Sequence, residues 1–313
     1  MQTIAVASFY RFVKIDDPRR VRYDLWSLCK ELGLLGTIHV ATEGINANVC
    51  GDGPALDTLI ETLGSKFSTR FPSVRRSEAA TAPFRRLKVA VRQELVKLGV
   101  PDICPAARTG KHVDPIRWNE LLEDRQVRVI DTRNHYEISL GSFPGALDPG
   151  TEEFHRFPEF VERELTNDKE GPVAMFCTGG IRCEKASAYL LQQGFTNVYQ
   201  LDGGILSYLE QIDDRSNLWQ GECFVFDQRV SVNSDMSPSG RPQCFGCRRP
   251  ITDEDLASPR YEPGISCPAC FDTLSETQRA AFAERRKQVS LASKRGRAHI
   301  GARFDKAAEA NSN

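Results

Sequence analysis

Val173-Ala174-Met175-Phe176-Cys177-Thr178-Gly179-Gly180-Ile181-Arg182-Cys183 is an apolar run that ends on a cysteine, turns through two glycines and opens into a helical pattern. A buried strand followed at once by a helix start is the pattern of an open α/β sheet, whose ligand sites lie beyond the carboxyl ends of the strands. The glycines let the loop turn its backbone N–H groups inward, and the helix start adds partial positive charge. Such a loop favours an anion at its centre. A thiolate at Cys177 is one such anion: with Arg182 close in sequence its pKa falls, making Cys177 a nucleophile at neutral pH. Thr178, Gly179, Gly180, Ile181 and Arg182 complete the cradle. The plainer reading is a strand-end cysteine beside a glycine turn.

Around this loop, strand and helix signals alternate. A helix is expected over 116–122, strands over 127–131, 172–176 and 197–201, and a helix over 152–165, so residues 115–219 read as a doubly wound parallel sheet. Residues 1–100 show a β-α-β-β-α-β order. Its strands are expected at 4–13, 36–41, 44–50 and 84–92 and its helices at 18–32 and 54–64, which suggests a ferredoxin-like α+β domain. Residues 101–114, with Pro101, Pro105 and Gly110, read as a linker. Residues 220–313 form a turn-rich, cysteine-rich extension ending in a basic tail, with 307–313 expected to be disordered.

The chain has 313 residues, 40% hydrophobic and 27% charged, with 41 Lys+Arg against 42 Asp+Glu. That is the profile of a globular protein of two or three domains. No stretch is long and apolar enough to span a membrane, and Met1 runs into a strand-like segment without a cationic leader. A cytoplasmic location is therefore expected. There, ten cysteines point to metal binding or thiol chemistry rather than disulfides. Charge is segregated: residues 1–100 hold 15 basic and 10 acidic side chains, 111–220 hold 11 and 19, and 221–313 hold 14 and 12. Basic flanks around an acidic middle would steer a polyanion such as RNA to the flanks. Candidate phosphate contacts are Arg75, Arg76, Arg85, Arg86, Lys88 and Arg92 on one flank. On the other they are Arg279, Arg285, Arg286, Lys287, Lys294, Arg295, Arg297 and Arg303. A charge run can equally be a solvated face.

Cys244-Phe245-Gly246-Cys247 and Cys267-Pro268-Ala269-Cys270 enclose 19 residues. Two CxxC turns can present four thiolates to one tetrahedral ion, and a segment with little core needs such a staple. Zinc is the expected ion. Four protein ligands leave no open position, so the site would be structural. Cys29, Cys50, Cys104 and Cys223 read as packing residues.

Asp131-Thr132-Arg133, Glu137, Gly141-Ser142-Phe143-Pro144-Gly145-Ala146, the Cys177 loop and Val198-Tyr199-Gln200-Leu201-Asp202-Gly203-Gly204 together resemble the rhodanese family in the correct order. Ser142-Phe143 departs from that family's usual His-Ile. The resemblance implies a rhodanese fold over 115–219 and a persulfide-forming Cys177. Cysteine phosphatases place a longer loop between cysteine and arginine than the four residues that separate Cys177 from Arg182, which disfavours phosphoryl chemistry. Cys183 can act as a resolving thiol, or simply as a small residue at a helix start.

With Ala41-Thr42-Glu43-Gly44-Ile45-Asn46-Ala47 upstream, Cys177 to Lys185 in the centre and the cysteine-rich extension downstream, the whole chain resembles the bacterial rhodanese-like tRNA uridine(34) hydroxylases. In that family the N-terminal domain is acylphosphatase-like. The resemblance implies oxygen-dependent conversion of uridine 34, the wobble position in the tRNA anticodon, to 5-hydroxyuridine, with molecular oxygen as co-substrate. The residues alone suggest the alternative, a persulfide sulfurtransferase acting on tRNA or a carrier. His39, His112, His135, His155 and His299 form no iron-binding signature and no flavin motif is present, so the sequence names no redox cofactor.

Overall fold

Alternating apolar and polar side chains make residues Ile4–Phe12 a strand, β1, with Ala7 and Phe9 buried and Ser8 and Tyr10 half-buried. The computed structural model describes residues 3–68 and 74–296. Helix α1 (Pro18–Glu31) starts at Asp17, whose carboxylate accepts from the Arg19 and Arg20 amides at 3.0 Å, with proline in its first turn. It buries Val21, Leu25 and Cys29 at helical spacing. Strands β2 (Leu35–Ala41) and β3 (Gly44–Gly51), helix α2 (Gly53–Lys66), and strands β4 (Val74–Ala79) and β5 (Leu87–Val91) complete the first sheet.

Its order is β4-β1-β3-β2-β5. The first four strands follow the ferredoxin-like order, with both helices over the face carrying Phe9, Ile38, Val40, Ile45 and Val49. The expected closing strand at 84–92 is instead an added edge strand parallel to β2, and β4 closes the motif. No residue of β4, Val-Arg-Arg-Ser-Glu-Ala, is fully buried, so it carries no apolar alternation to read.

The second sheet is parallel, in the order β6-β10-β9-β7. In chain order its elements are β6 (Lys111–Val113), α3 (Pro115–Glu123), β7 (Arg128–Asp131), α4 (His135–Ile138), β8 (Gly141–Ser142), α5 (Phe157–Glu164), β9 (Val173–Phe176), α6 (Ile181–Gln192), β10 (Val198–Leu201) and α7 (Gly204–Gln211). Strand β9 is buried at every residue because cores lie on both its faces. The stretch read as a linker thus supplies an edge strand, too short for a pattern. Strand β11 (Gln220–Gly221) pairs with β8, and β12 (Cys223–Phe224) with β13 (Ser231–Val232). Cys223, Val225 and Val232 pack in one cluster with Trp118, Phe143, Phe176 and Tyr208. Residues 220–240 therefore belong with the parallel sheet rather than with the extension. Cys29, Cys50 and Cys223 are buried packing residues; Cys104 is exposed.

The chain divides into two compact units after Gly240. The second contains α8 (Asp253–Ala257) and α9 (Glu276–Lys294), each started by a capping box, on Thr252 and Ser275. Its small core is Cys244, Ile251, Cys267 and Cys270. Arg297, Arg303, His299 and the expected disordered end lie outside the described residues. No helix among the described residues is long and apolar enough to cross a membrane.

Within the first unit, Lys185 of α6 is buried and its ammonium donates to Glu43 at 3.0 Å, in the β2–β3 turn, and to Glu94 at 2.5 Å, after β5. The two carboxylates in turn accept the amides of Leu95, Leu98 and Gly99. Lys185→Met keeps the apolar stem and removes the charge, leaving two carboxylates facing each other. It should cost about 2 kcal/mol, since both partners retain some solvent. Denaturant unfolding that matches the wild type would show that Lys185 does not hold the two sheets together.

Candidate active site

Cys177 follows the last residue of β9, and its loop ends at Gly180, the cap of α6, with φ +91°. Loop geometry depends on glycine twice. A side chain at Gly180 would need a left-handed backbone and would meet the Tyr10 hydroxyl; one at Gly204, φ +68°, would lie 2.3 Å from the Cys177 carbonyl oxygen. That close approach lets Ile205 and Leu206 donate to the carbonyls of Cys177 and Thr178, at 2.9 and 3.2 Å. The loop is thereby pinned from both ends.

The Gly180 amide donates to Cys177 Sγ at 3.1 Å. Burial opposes charge on this thiol, but donation from the Cys183 thiol, the Arg182 charge and the amides of Cys183 and Arg182 outweigh it and hold the pKa well below that of a free thiol. Cys183 is pushed the opposite way, by burial and by Cys177 itself, and its sulfur lies 3.5 Å from Thr132 Oγ1. Of the two sulfurs, the loop favours Cys177, which accepts the Gly180 amide, as the anion.

Arg182 does not point its guanidinium at the anion. It forms a two-pronged pair with the buried Glu137, at 2.6 and 2.8 Å, and donates to Thr178 Oγ1 at 3.2 Å. Although burial opposes the Glu137 charge, Arg182 and Arg133 keep its carboxyl below the usual range. Arg133, also buried, pairs with Asp131 at 2.6 Å, donates to the Gly141 carbonyl at 2.6 Å and lies over the Trp219 ring at 5.2 Å. Ser142, at the position where the rhodanese pattern has histidine, donates to Asp131 at 2.9 Å. The residues Asp131, Arg133 and Glu137 thus form the charged layer beneath the loop.

Cys177, Thr178, Gly179, Ile181 and Arg182 line a cavity of ≈ 440 Å³ that is also lined by the outer face of the first sheet, including Tyr10, His39, Asn46 and Asn48. Tyr10 is anchored: its hydroxyl donates at 3.0 Å to Glu184, which also accepts from Thr109 at 2.8 Å and lies 2.9 Å from His112 Nε2. Burial and the Glu184 charge raise the Tyr10 pKa, so it stays a neutral phenol. Phe226, 61% exposed, also lines the cavity, with Arg182 5.8 Å from its ring centre. Sequence reasoning did not single out Tyr10, Glu184 or Phe226. Glu184 lies in the Cys177 to Lys185 stretch, one residue past the quoted loop, but nothing in one chain says what it touches.

The basic side chains are placed differently from one another. Arg75 turns inward, donating to the Gly203 carbonyl at 2.5 Å and lying 3.5 Å from Glu210. Arg76 pairs with Asp57, while Arg85, Arg86 and Lys88 are exposed. In the second unit, Arg285 lies over the rings of Phe282 and Phe245, and Arg286 lies along Gly264.

There too, the sulfurs of Cys244, Cys247, Cys267 and Cys270 lie within 4.8 Å of one another. Separations of 3.8 Å (Cys244–Cys270), 3.6 Å (Cys247–Cys267) and 3.9 Å (Cys267–Cys270) match the roughly 3.8 Å edge of a tetrahedron with metal–sulfur bonds of about 2.3 Å. The cluster can hold a metal ion.

The thiolate pKa gives a signed expectation. Because Cys177 is lowered, thiolate absorbance and alkylation by iodoacetamide should already be developed at pH values below the free-thiol midpoint of about 8.5. Arg182→Met should move that midpoint upward. A wild-type midpoint equal to that of free cysteine, with Cys177→Ser as the blank, would refute the cradle.

Family profiles match two segments, the UPF0176 acylphosphatase like domain at residues 4–95 and the rhodanese-like domain at residues 116–211. Solved structures similar to part of the chain include a rhodanese-related protein from Thermoplasma volcanium, 22% identical, covering 32% of this chain and 92% of that one with a TM-score of 0.27. Another is a rhodanese-like domain protein from Staphylococcus aureus, 25% identical over 31% of this chain and 90% of that one, with a TM-score of 0.26. A curated relative from Acaryochloris marina, named tRNA uridine(34) hydroxylase, is 43% identical over 98% of this chain and 99% of its own length. By that near full-length identity, the chain belongs to the tRNA uridine(34) hydroxylase family.

Proposed function

We propose that the protein hydroxylates uridine 34 of tRNA to 5-hydroxyuridine, with molecular oxygen as co-substrate and Cys177 as the nucleophile. The observation that carries this reading is a buried, charge-stabilised Cys177 on the wall of a cavity of ≈ 440 Å³, in a chain 43% identical to a protein of that name. A cavity of this size takes one nucleoside rather than a helix. Uridine 34 lies in the single-stranded anticodon loop, where a base can leave its stack at small cost. Phe226 offers a ring face for a neighbouring base, and the exposed Arg85, Arg86 and Lys88 suit phosphate contacts.

Replacing C5–H of uracil by C5–OH is a two-electron oxidation. With molecular oxygen as oxidant the second oxygen atom leaves as water, which requires two electrons and two protons from an external reductant. Uracil C5 is a poor nucleophile. Addition of the Cys177 thiolate to C6 moves an electron pair through C5 onto O4, so that C5 can then bond to oxygen. Loss of the C5 proton and expulsion of the thiolate restore the ring. The cradle stabilises the thiolate both as attacking and as leaving group. Cys183, kept protonated, donates to Cys177 and can resolve an oxidised Cys177 as a disulfide.

In the second unit, we assign zinc to the four cysteines. Four thiolates in a tetrahedron are a common structural zinc donor set, and with no open position the ion supplies folding energy rather than chemistry. The unit should contain one zinc per chain by elemental analysis, and Cys244→Ser should lose the metal and unfold at lower temperature. A metal-free, equally stable wild type would overturn this.

Nucleoside mass spectrometry of tRNA from cells lacking the protein tests the reaction. Wild type should restore 5-hydroxyuridine and its derivatives, and Cys177→Ala should not. RNA carrying 5-fluorouridine at position 34 should leave a covalent adduct on Cys177. Unchanged 5-hydroxyuridine with altered thiolated nucleosides would make the protein a sulfurtransferase instead.

A further inference from the structure

The cavity wall formed by the first sheet is an unusual surface for an open sheet. On β1, β3 and β2 the inward residues pack against α1 and α2, while Ser8, Tyr10, Asn46, Asn48, Thr37 and His39 occupy the other face and line the cavity. Strand register sets them in two rows: Ser8 opposite Asn48 opposite Thr37, and Tyr10 opposite Asn46 opposite His39. Neighbours in a row are about 5 Å apart. Asn46 and Asn48 stand in different rows, two residues and so roughly 6.6 Å apart on β3, a span over which two amides can bracket one edge of a pyrimidine-2,4-dione.

The chemistry of this wall is uniform. It carries no carboxylate, and His39 is held neutral by burial and by Arg92 and Lys88. Tyr10 is spoken for by Glu184. The side chains of Asn46 and Asn48, both half-buried, have no hydrogen-bond partner among the described residues. Neither amide is among the buried unpaired groups, so both open into the cavity, where a ligand can pair with them. Each amide offers one acceptor and one two-proton donor side by side.

A uracil ring is the neutral complement: N3–H donates and is flanked by the acceptors O2 and O4. With the base held by its edge on this wall, the C5–C6 bond, on the opposite side of the ring, is directed away from it, into the cavity that Cys177 also lines.

We infer that Asn46 and Asn48 read the O4/N3–H/O2 edge of the target base, so that the N-terminal sheet selects uracil while the rhodanese loop supplies the nucleophile. This deepens the hydroxylase reading and rests on it for the identity of the base.

Binding and turnover separate the two. Anticodon stem-loops with uridine or cytidine at position 34 are titrated into full-length Cys177→Ala protein by fluorescence anisotropy, and 5-hydroxyuridine formation is measured with Cys177 intact. Asn46→Ala and Asn48→Ala should each lower the uridine-over-cytidine binding preference roughly tenfold, the value of one two-pronged base contact. Turnover should fall alike, with the melting temperature and Cys177 thiolate titration unchanged. Asn46→Ser and Asn48→Ser, which keep a polar group but not the two-sided amide, should behave the same and serve if an alanine variant is unstable. Retention of the wild-type preference in the folded variants overturns the inference, whether or not the wild type hydroxylates. A wild type that prefers uridine but makes no 5-hydroxyuridine overturns the reaction and leaves the wall as the base reader.

Discussion

The contact on which the site depends is made by two consecutive residues of α6. Lys185 joins Glu43 and Glu94, and Glu184 accepts the Tyr10 hydroxyl, so the helix that starts at the Cys177 loop is also the helix to which the first sheet is tied. The cavity is lined by both partners, the Cys177 loop and the sheet face, together with the segments around Leu95, Phe154 and Phe226. A buried ammonium is an expensive way to join two surfaces; an apolar contact of similar volume would serve stability as well. What the charge adds is position. An ammonium between two carboxylates, themselves fixed by three backbone amides, has one low-energy arrangement, whereas apolar surfaces can slide.

The same logic runs beneath the loop. Asp131, Arg133, Glu137 and Arg182 alternate in sign up to the Cys177 sulfur, and each charge is satisfied by its neighbours. Arg182 acts on Cys177 through its field rather than by direct contact, since its fork is filled by Glu137. The backbone amides, which cannot swing away, form the contacts. The loop therefore stabilises a thiolate without offering a free cation to compete for it.

Much of this was legible in sequence because it depends on local patterns. The strand–cysteine–glycine–helix run predicts β9, the cradle and the lowered thiol, and the two CxxC pairs predict the sulfur cluster. What escaped depends on partners distant in the chain. Strand β4 has no alternation because both its faces stay partly exposed; β6 is three residues long and looks like spacer. Residues 220–240 are turn-rich and read with the extension, yet they carry Cys223, Val225 and Val232 into the core of the parallel sheet. Tyr10 lies 174 positions from Glu184, and no periodicity reports such a pairing. Arg75, read as a surface cation, faces inward because its acceptor is the carbonyl of Gly203, 128 positions on.

The commitment of Arg182 to Glu137 also bears on what the loop can act upon. A thiosulfate or phosphate ester brings its own negative charge, and a site for it needs a cation free to meet that charge. Among the described residues the guanidiniums beside the loop are engaged, Arg182 with Glu137, Arg133 with Asp131, and Arg75 with Glu210 and the Gly203 carbonyl, while Lys97 lines the cavity as an exposed side chain. A neutral ring makes no such demand. It needs a stabilised thiolate on one side, neutral hydrogen-bonding groups on the other, and a transient negative charge on O4 within reach of a donor. The cavity supplies those features, and a uracil ring meets them better than an oxyanion does.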